Sequence, residues 1–221
     1  MADADHAYVA YLDILGYKEL LDTDLKEGTQ TFKERMTQAY RTFETVNNSR
    51  YHHWSISDSI FISCSERPAA KEFLLIVKDV YVSFLKEGLL IRGGLSFGQH
   101  FQTQSITYSP ALTKAYLLES EIAQFPRVMV DANVVDMFPG LEDEALILRT
   151  GIHYFLNVVT AETFDTVWDA AKTSCIASMQ IIHRKEQVRI KHRWLQDYLL
   201  EAAHMLGLNR PEPYLTTFDK S

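Results

Sequence analysis

Tyr8-Val9-Ala10-Tyr11-Leu12-Asp13-Ile14-Leu15-Gly16-Tyr17 is an apolar run that reaches an aspartate and then breaks at a glycine. Short runs of Val, Ile and Tyr bounded by a breaker read as buried strands. Residues 7–14 are therefore predicted as a first strand, with the Asp13 carboxylate presented near its end. A second aspartate stands in Trp54-Ser55-Ile56-Ser57-Asp58-Ser59-Ile60-Phe61-Ile62, between two β-rich segments. That pattern predicts strands over 51–56 and 59–64 joined by a tight hairpin at Ser57-Asp58. If the two strands lie close, Asp13 and Asp58 converge. Paired carboxylates are hard oxygen donors, suited to Mg2+ or Mn2+ beside phosphate oxygens.

Working outward, Phe32, Met36, Tyr40, Phe43 and Val46 fall at helical spacing, with Gly28 as a break before them. Pro68 opens a helix whose buried stripe is Phe73, Leu74, Val77, Tyr81, Phe84 and Leu85, and Gly88 closes it. A strand is predicted over 89–97, carrying Arg92-Gly93-Gly94, with a turn at Gly98 and a return strand over 101–107. Pro110 opens a helix through Ala115, Leu118 and Ile122. Val128 to Val130 reads as a short strand, 131–144 as a polar connection, and 146–149 with 153–158 as a hairpin turning at Thr150-Gly151. From Ala161 the pattern is helical, with a basic patch from Arg184 to Arg193 that reads as a solvated helix face and a loose tail after Gly207. The expected class is α+β: a mainly antiparallel sheet with helices packed on it, a core over 1–158 and a C-terminal helical extension over 159–221.

Composition narrows the function. The chain has 221 residues, 47% of them hydrophobic, and a formal charge of −7. An acidic chain without a long basic run is a poor binder of nucleic acid. Cys64 and Cys175 are far apart in apolar sequence and read as buried free thiols. The acidic start, Met1-Ala2-Asp3-Ala4-Asp5-His6, lacks a signal pattern, and no apolar run reaches the ~20 residues of a membrane span. A soluble, cytoplasmic protein without direct membrane insertion is expected.

The pair Asp13 and Asp58 would hold two divalent ions, with the Ile14 carbonyl as a further ligand. Leu15, Gly16 and Tyr17 would then turn into a helix whose first N–H groups suit phosphate. Each aspartate taken singly is also an ordinary turn or cap residue.

Tyr11-Leu12-Asp13-Ile14-Leu15-Gly16-Tyr17 resembles the first metal motif of class III nucleotidyl cyclases, and Ser57-Asp58 resembles their Gly-Asp hairpin. Ile91 to Gly98 is similar to the strand that follows in that family, and Tyr108 to Glu119 takes the place of its late catalytic helix. The set looks most like the compact bacterial pyrimidine cyclases of Pycsar anti-phage systems. The resemblance implies a ferredoxin-like cyclase fold and a homodimer with active sites at the interface. It also implies two Mn2+ or Mg2+ ions and attack of a ribose 3′-hydroxyl on the α-phosphate. The cyclic product would act on a separate effector protein.

This chain departs from the family at several places. Trp54 stands where adenylyl cyclases carry a base-reading Lys, and Ile106 falls near their second base-reading Asp. Both changes point away from ATP and toward a pyrimidine nucleoside triphosphate, UTP ahead of CTP, with Tyr51 as a further base-pocket candidate. Thr113 and Leu117 occupy the places of the family's Asn and Arg, which leaves Arg92 and Lys114 as candidate catalytic cations. Among rival readings, a diguanylate cyclase should carry acids after Gly93-Gly94, and a haloacid dehalogenase phosphatase should carry Asp where Leu15 stands. A non-catalytic nucleotide sensor on the same fold is the alternative outside enzymology.

Overall fold

The computed structural model describes residues 5–47, 49–138 and 140–216. Its centre is β1 (Asp5–Ile14), which alternates between two buried layers. Tyr8, Ala10, Leu12 and Ile14 enter the main core, while Ala7 and Val9 pack on Ala111 across the other face. A strand apolar on both faces belongs in the middle of a sheet, and β1 is paired on both edges. On one side lies the antiparallel hairpin of β2 (His52–Ile56) and β3 (Ser59–Cys64), and on the other β4 (Ile91–Gln102). Outside that hairpin the connections are helical: α1 (Tyr17–Glu27) and α2 (Thr31–Tyr40) between β1 and β2, and α3 (Ala70–Lys86) between β3 and β4. The order β2-β3-β1-β4 with those crossovers is the expected ferredoxin-like arrangement.

The sheet then widens. β5 (Thr107–Tyr108) folds back on the end of β4, and α4 (Pro110–Leu117) carries the chain across to β6 (Val128–Val130). β6 runs parallel to β4, because a helical crossover returns the chain in the same direction. After α5 (Ala132–Met137) and α6 (Gly140–Asp143) come β7 (Ile147–Thr150) and β8 (His153–Leu156), giving the order β2-β3-β1-β4-β6-β8-β7. α7 (Phe164–Ala177), α8 (Met179–Ile182) and α9 (Glu186–Met205) complete the chain. Val167, Leu195 and Leu199 share one core with Leu12, Phe73 and Ile91, so the C-terminal helices pack in the same layer as α2 and α3. α4 covers the opposite face. Cys64 and Cys175 are buried free thiols.

Several expectations from sequence are corrected. The chain does not turn at Gly98, which pairs with Ala7 within the β1–β4 ladder; the turn comes after Gln102. Pairing along the whole of β1 holds β4 extended, and Gly98 faces Ala111 of α4, where a Cβ would meet it only at an ordinary contact distance of 3.6 Å. The polar connection over 131–144 contains α5, capped by the Asp131 carboxylate, which accepts from the Asn133 N–H at 3.3 Å. The tail after Gly207 is ordered through Thr216: Leu215 is buried, and its N–H and C=O both bond the Gln196 side-chain amide, at 2.7 and 3.0 Å. Residues 217–221 lie outside the described residues.

Candidate active site

The β2–β3 turn brings the two aspartates to one end of the sheet. Asp13 stands opposite Ser59 in the β1–β3 register, and the Ile14 N–H donates to the Asp58 carbonyl at 3.0 Å. Ser57 holds a left-handed backbone, φ +57°, in this two-residue turn. That conformation matches the twist of a hairpin and is cheaper for glycine than for serine.

On the next strand Arg92 stands opposite Asp13, and its Nε donates to Asp13 Oδ2 at 3.3 Å. The same Nε lies 2.6 Å from Glu119 Oε1, although without the alignment of a hydrogen bond. Arg92 is thus clasped between two carboxylates. Glu119 lies in a wide π-type turn, Leu118–Ile122, that continues α4. Burial pushes its carboxyl up to about 7; Arg92 pulls it back, and the charges of Asp13 and Asp58 add to the rise. Burial also raises Asp13, with Arg92 opposing and Asp58 contributing. Asp13 and Glu119 therefore flank a single guanidinium, and the charge of Asp58 reaches both of them.

Glu119 was missed from sequence, yet a signal existed. It falls four residues after Ala115, on the apolar stripe of that helix, where an acid needs a buried partner. Lys191 was missed as well, because the patch from Arg184 to Arg193 was expected to face solvent. Part of it turns inward: His192 is buried, and Lys191 is half-buried in the field of Arg92, Asp13 and Glu19.

The other predicted residues divide. Gly16 takes φ +77° at the entry to α1, a left-handed position that L side chains resist. It leaves the N–H groups of Gly16, Tyr17 and the rest of the first turn outside the helix ladder. Leu15 is different, since its N–H is committed to the Leu90 carbonyl at 2.8 Å and is not free for phosphate. The Ile14 side chain is in the core, so only its backbone carbonyl could serve a metal.

Trp54 stacks on Phe61 with ring centroids 4.7 Å apart; Phe61 meets Tyr11 edge-on at 5.3 Å, and Tyr11 meets Tyr116 at 5.4 Å. This aromatic row lies on the α4 face of the sheet, beside the carboxylates. Trp54 also borders a cleft of about 620 Å3 with Tyr51, His52, His53, Gln102, Thr103 and Gln104. Tyr51 does not join the row. Strand alternation turns it to the other face, where it is buried and its hydroxyl donates to Glu72 at 3.0 Å. Lys114 is not brought to the aspartate pair either; its Nζ sits 2.5 Å from the buried carboxylate of Asp131.

For divalent ions the donor chemistry fits, in company. Among the described residues no group of three His, Cys, Asp or Glu could hold a metal by itself. Two carboxylates at an open strand end are the donor set of an ion that takes its remaining ligands from phosphate and water. The buried Glu119 Oε1, ion-paired with Arg92 but without a hydrogen bond, adds a third carboxyl group close to Asp13.

No protein-family model and no curated protein matches this chain. Among solved structures it is similar to a double mutant of the guanylyl cyclase domain of the RhoGC fusion protein from the aquatic fungus Blastocladiella emersonii. The TM-score is 0.50 at 13% identity, over 70% of this chain and 96% of that one. This is the nucleotidyl cyclase fold. A bacterial light-regulated adenylyl cyclase also aligns, with a TM-score of 0.49 at 13% identity over 77% of this chain and 98% of that one. Among the described residues no helix is long and apolar enough to cross a membrane.

Proposed function

We propose that this chain is a nucleotidyl cyclase that converts a pyrimidine nucleoside triphosphate, UTP ahead of CTP, to the 3′,5′-cyclic monophosphate and pyrophosphate. The observation that carries the reading is the meeting of Asp13 and Asp58 at one end of a cyclase-type sheet, where their strands are joined by the 3.0 Å bond from Ile14 N–H to the Asp58 carbonyl. In the reaction the ribose 3′-oxygen forms a bond to the α-phosphorus, the hydroxyl proton is lost, and the bond to the bridging oxygen breaks to release pyrophosphate. Asp13, Asp58 and the Ile14 carbonyl would hold two Mg2+ or Mn2+ ions, which when bound neutralise the polyphosphate. Gly16 and Tyr17 offer backbone N–H groups to phosphate at the start of α1. Arg92 is the guanidinium at the site; anchored by Glu119, it can release Asp13 and lean on phosphate charge.

Trp54 supplies a flat wall in its cleft. Stacking holds a pyrimidine ring without the Lys that reads adenine. Ile56, Tyr108, Tyr116 and Leu117 are exposed, an apolar surface suited to a second copy of the chain. In such a homodimer the Trp54 cleft and Lys114 of one protomer would complete the carboxylate site of its partner. The cyclic product would serve as a messenger for a separate effector in anti-phage defence, in the cytoplasm.

The test is incubation of the purified protein with each of the four nucleoside triphosphates and Mn2+, with products resolved by chromatography. Cyclic UMP and stoichiometric pyrophosphate are expected. Binding without turnover of any triphosphate would replace the enzyme with a sensor, and a cyclic purine product would overturn the base assignment.

A further inference from the structure

A cavity of about 500 Å3 lies between the start of α1 and the C-terminal helices. Its two ends differ. At one, Arg35, Gly88 and Ser174 are knitted together: the Arg35 Nε donates to the Glu87 carbonyl at 2.7 Å and the Ser174 hydroxyl to the Gly88 carbonyl at 3.3 Å. At the other, Gly16 and Glu19 of the α1 entry meet Lys185 and Lys191. Lys185 is paired with Glu19 at 3.1 Å. Lys191 makes no hydrogen bond or ion pair among the described residues, although it is half-buried and the charges acting on it are Arg92, Asp13 and Glu19.

An ammonium drawn partly out of water, repelled by a guanidinium and attracted by Asp13 and Glu19 without a direct ion pair to either, gains from an anion that joins it. Its position fixes which anion. Lys191 overlooks the turn between Asp13 and α1, where the free N–H groups of the first helical turn are also gathered. A compact singly charged anion would satisfy one of these groups; a polyphosphate reaches both.

We propose that Lys191, with Lys185 beside it, binds the polyphosphate tail of the nucleotide at the mouth of this cavity. The ligand class rests on the cyclase reading of the same site. The cations that hold the tail would then come from α9 and the turn before it, on the same chain as Asp13 and Asp58, and the C-terminal helices would be part of the active site.

Calorimetric titration of the full chain with inorganic triphosphate and Mg2+ tests this. A charge-assisted contact of this type is worth about ten- to hundredfold in affinity. Lys191→Gln and Lys191→Met should each lose that factor, Lys191→Arg should recover most of it, and the exposed Arg210→Gln should bind as the wild type does. A non-cyclisable analogue of UTP should lose affinity by the same factor as inorganic triphosphate, which identifies the tail as the group recognised. Thermal unfolding of each variant confirms that it is folded. Undiminished triphosphate binding by folded Lys191→Gln and Lys191→Met would overturn the proposal while leaving the cyclase reading in place. An equal loss in Arg210→Gln would reduce the effect to overall charge and overturn it too. If the wild type binds neither inorganic nor nucleoside triphosphate, the cyclase reading fails and this inference fails with it.

Discussion

Glu119→Gln isolates the charge conflict at the centre of the site. In the folded chain burial lifts the Glu119 carboxyl from 4.5 to about 7. Below about 4.5 the group is protonated in both folded and unfolded chains, and its burial costs little. As pH rises toward 7 the unfolded chain gives up the proton while the folded chain keeps it, so stability falls. Above about 7 the carboxylate is ionised in both states and the loss is complete. At roughly 1.4 kcal/mol per pH unit, the rise amounts to about 3 kcal/mol. Glutamine has the same shape, keeps an oxygen near Arg92, and cannot ionise. Urea denaturation of wild type and Glu119→Gln at pH 5, 6, 7 and 8, with a chelator present, gives the difference directly. The variant should gain on the wild type by up to about 3 kcal/mol across this range, with the gain levelling off above pH 7. A flat difference would refute the buried-acid account. A difference of opposite sign would show that the Arg92 pair stabilises the ionised form outright.

Asp13→Ala and Asp58→Ala should each abolish product formation while leaving the melting temperature nearly unchanged, because Arg92 keeps Glu119 when Asp13 is removed; retained turnover in either variant defeats the metal assignment. Gly94→Ala should destabilise by about 1–3 kcal/mol through overpacking: its methyl would collide with the Ala115 carbonyl oxygen and stand 2.7 Å from Leu118 Cβ, pushing α4 and Glu119 off the sheet. Wild-type stability and activity in that variant would show that α4 yields freely. Trp54→Lys should shift the product ratio away from pyrimidines in a competition among four triphosphates, and an unmoved ratio removes Trp54 from the base pocket. Sedimentation should find a dimer, and a fully active monomer would end the shared-site arrangement.

The strands and helices of the core were legible because their signals are local, while their ferredoxin-like arrangement was implied by the family resemblance. A short apolar run marked β1 as a buried strand, alternation around Ser57-Asp58 set the hairpin, and helical stripes with Gly28 and Gly88 marked the helices that follow. The same locality misled at Gly98, where a glycine read as a turn lies inside a strand held straight by ten-residue pairing with β1. Tyr51 and Trp54 show a similar limit: three positions apart on neighbouring pleats, they face opposite layers, and only the register of β2 on β3 decides which one meets the aromatic row.

Sequence alone placed Asp13 near the end of one predicted strand and Asp58 in a predicted hairpin; that β1 lies against β3, which brings the two to one end of the sheet, is a matter of tertiary pairing. Only the tertiary structure decided which charges accompany them. Arg92 is clasped by Glu119, Lys114 is held by Asp131, and Lys191 turns inward from a patch that reads as solvated. The reason is physical: an isolated charged side chain carries no periodic signature, and its partner is chosen by the packing of α4 and α9 against opposite faces of the sheet, a matter of contacts among residues distant along the chain.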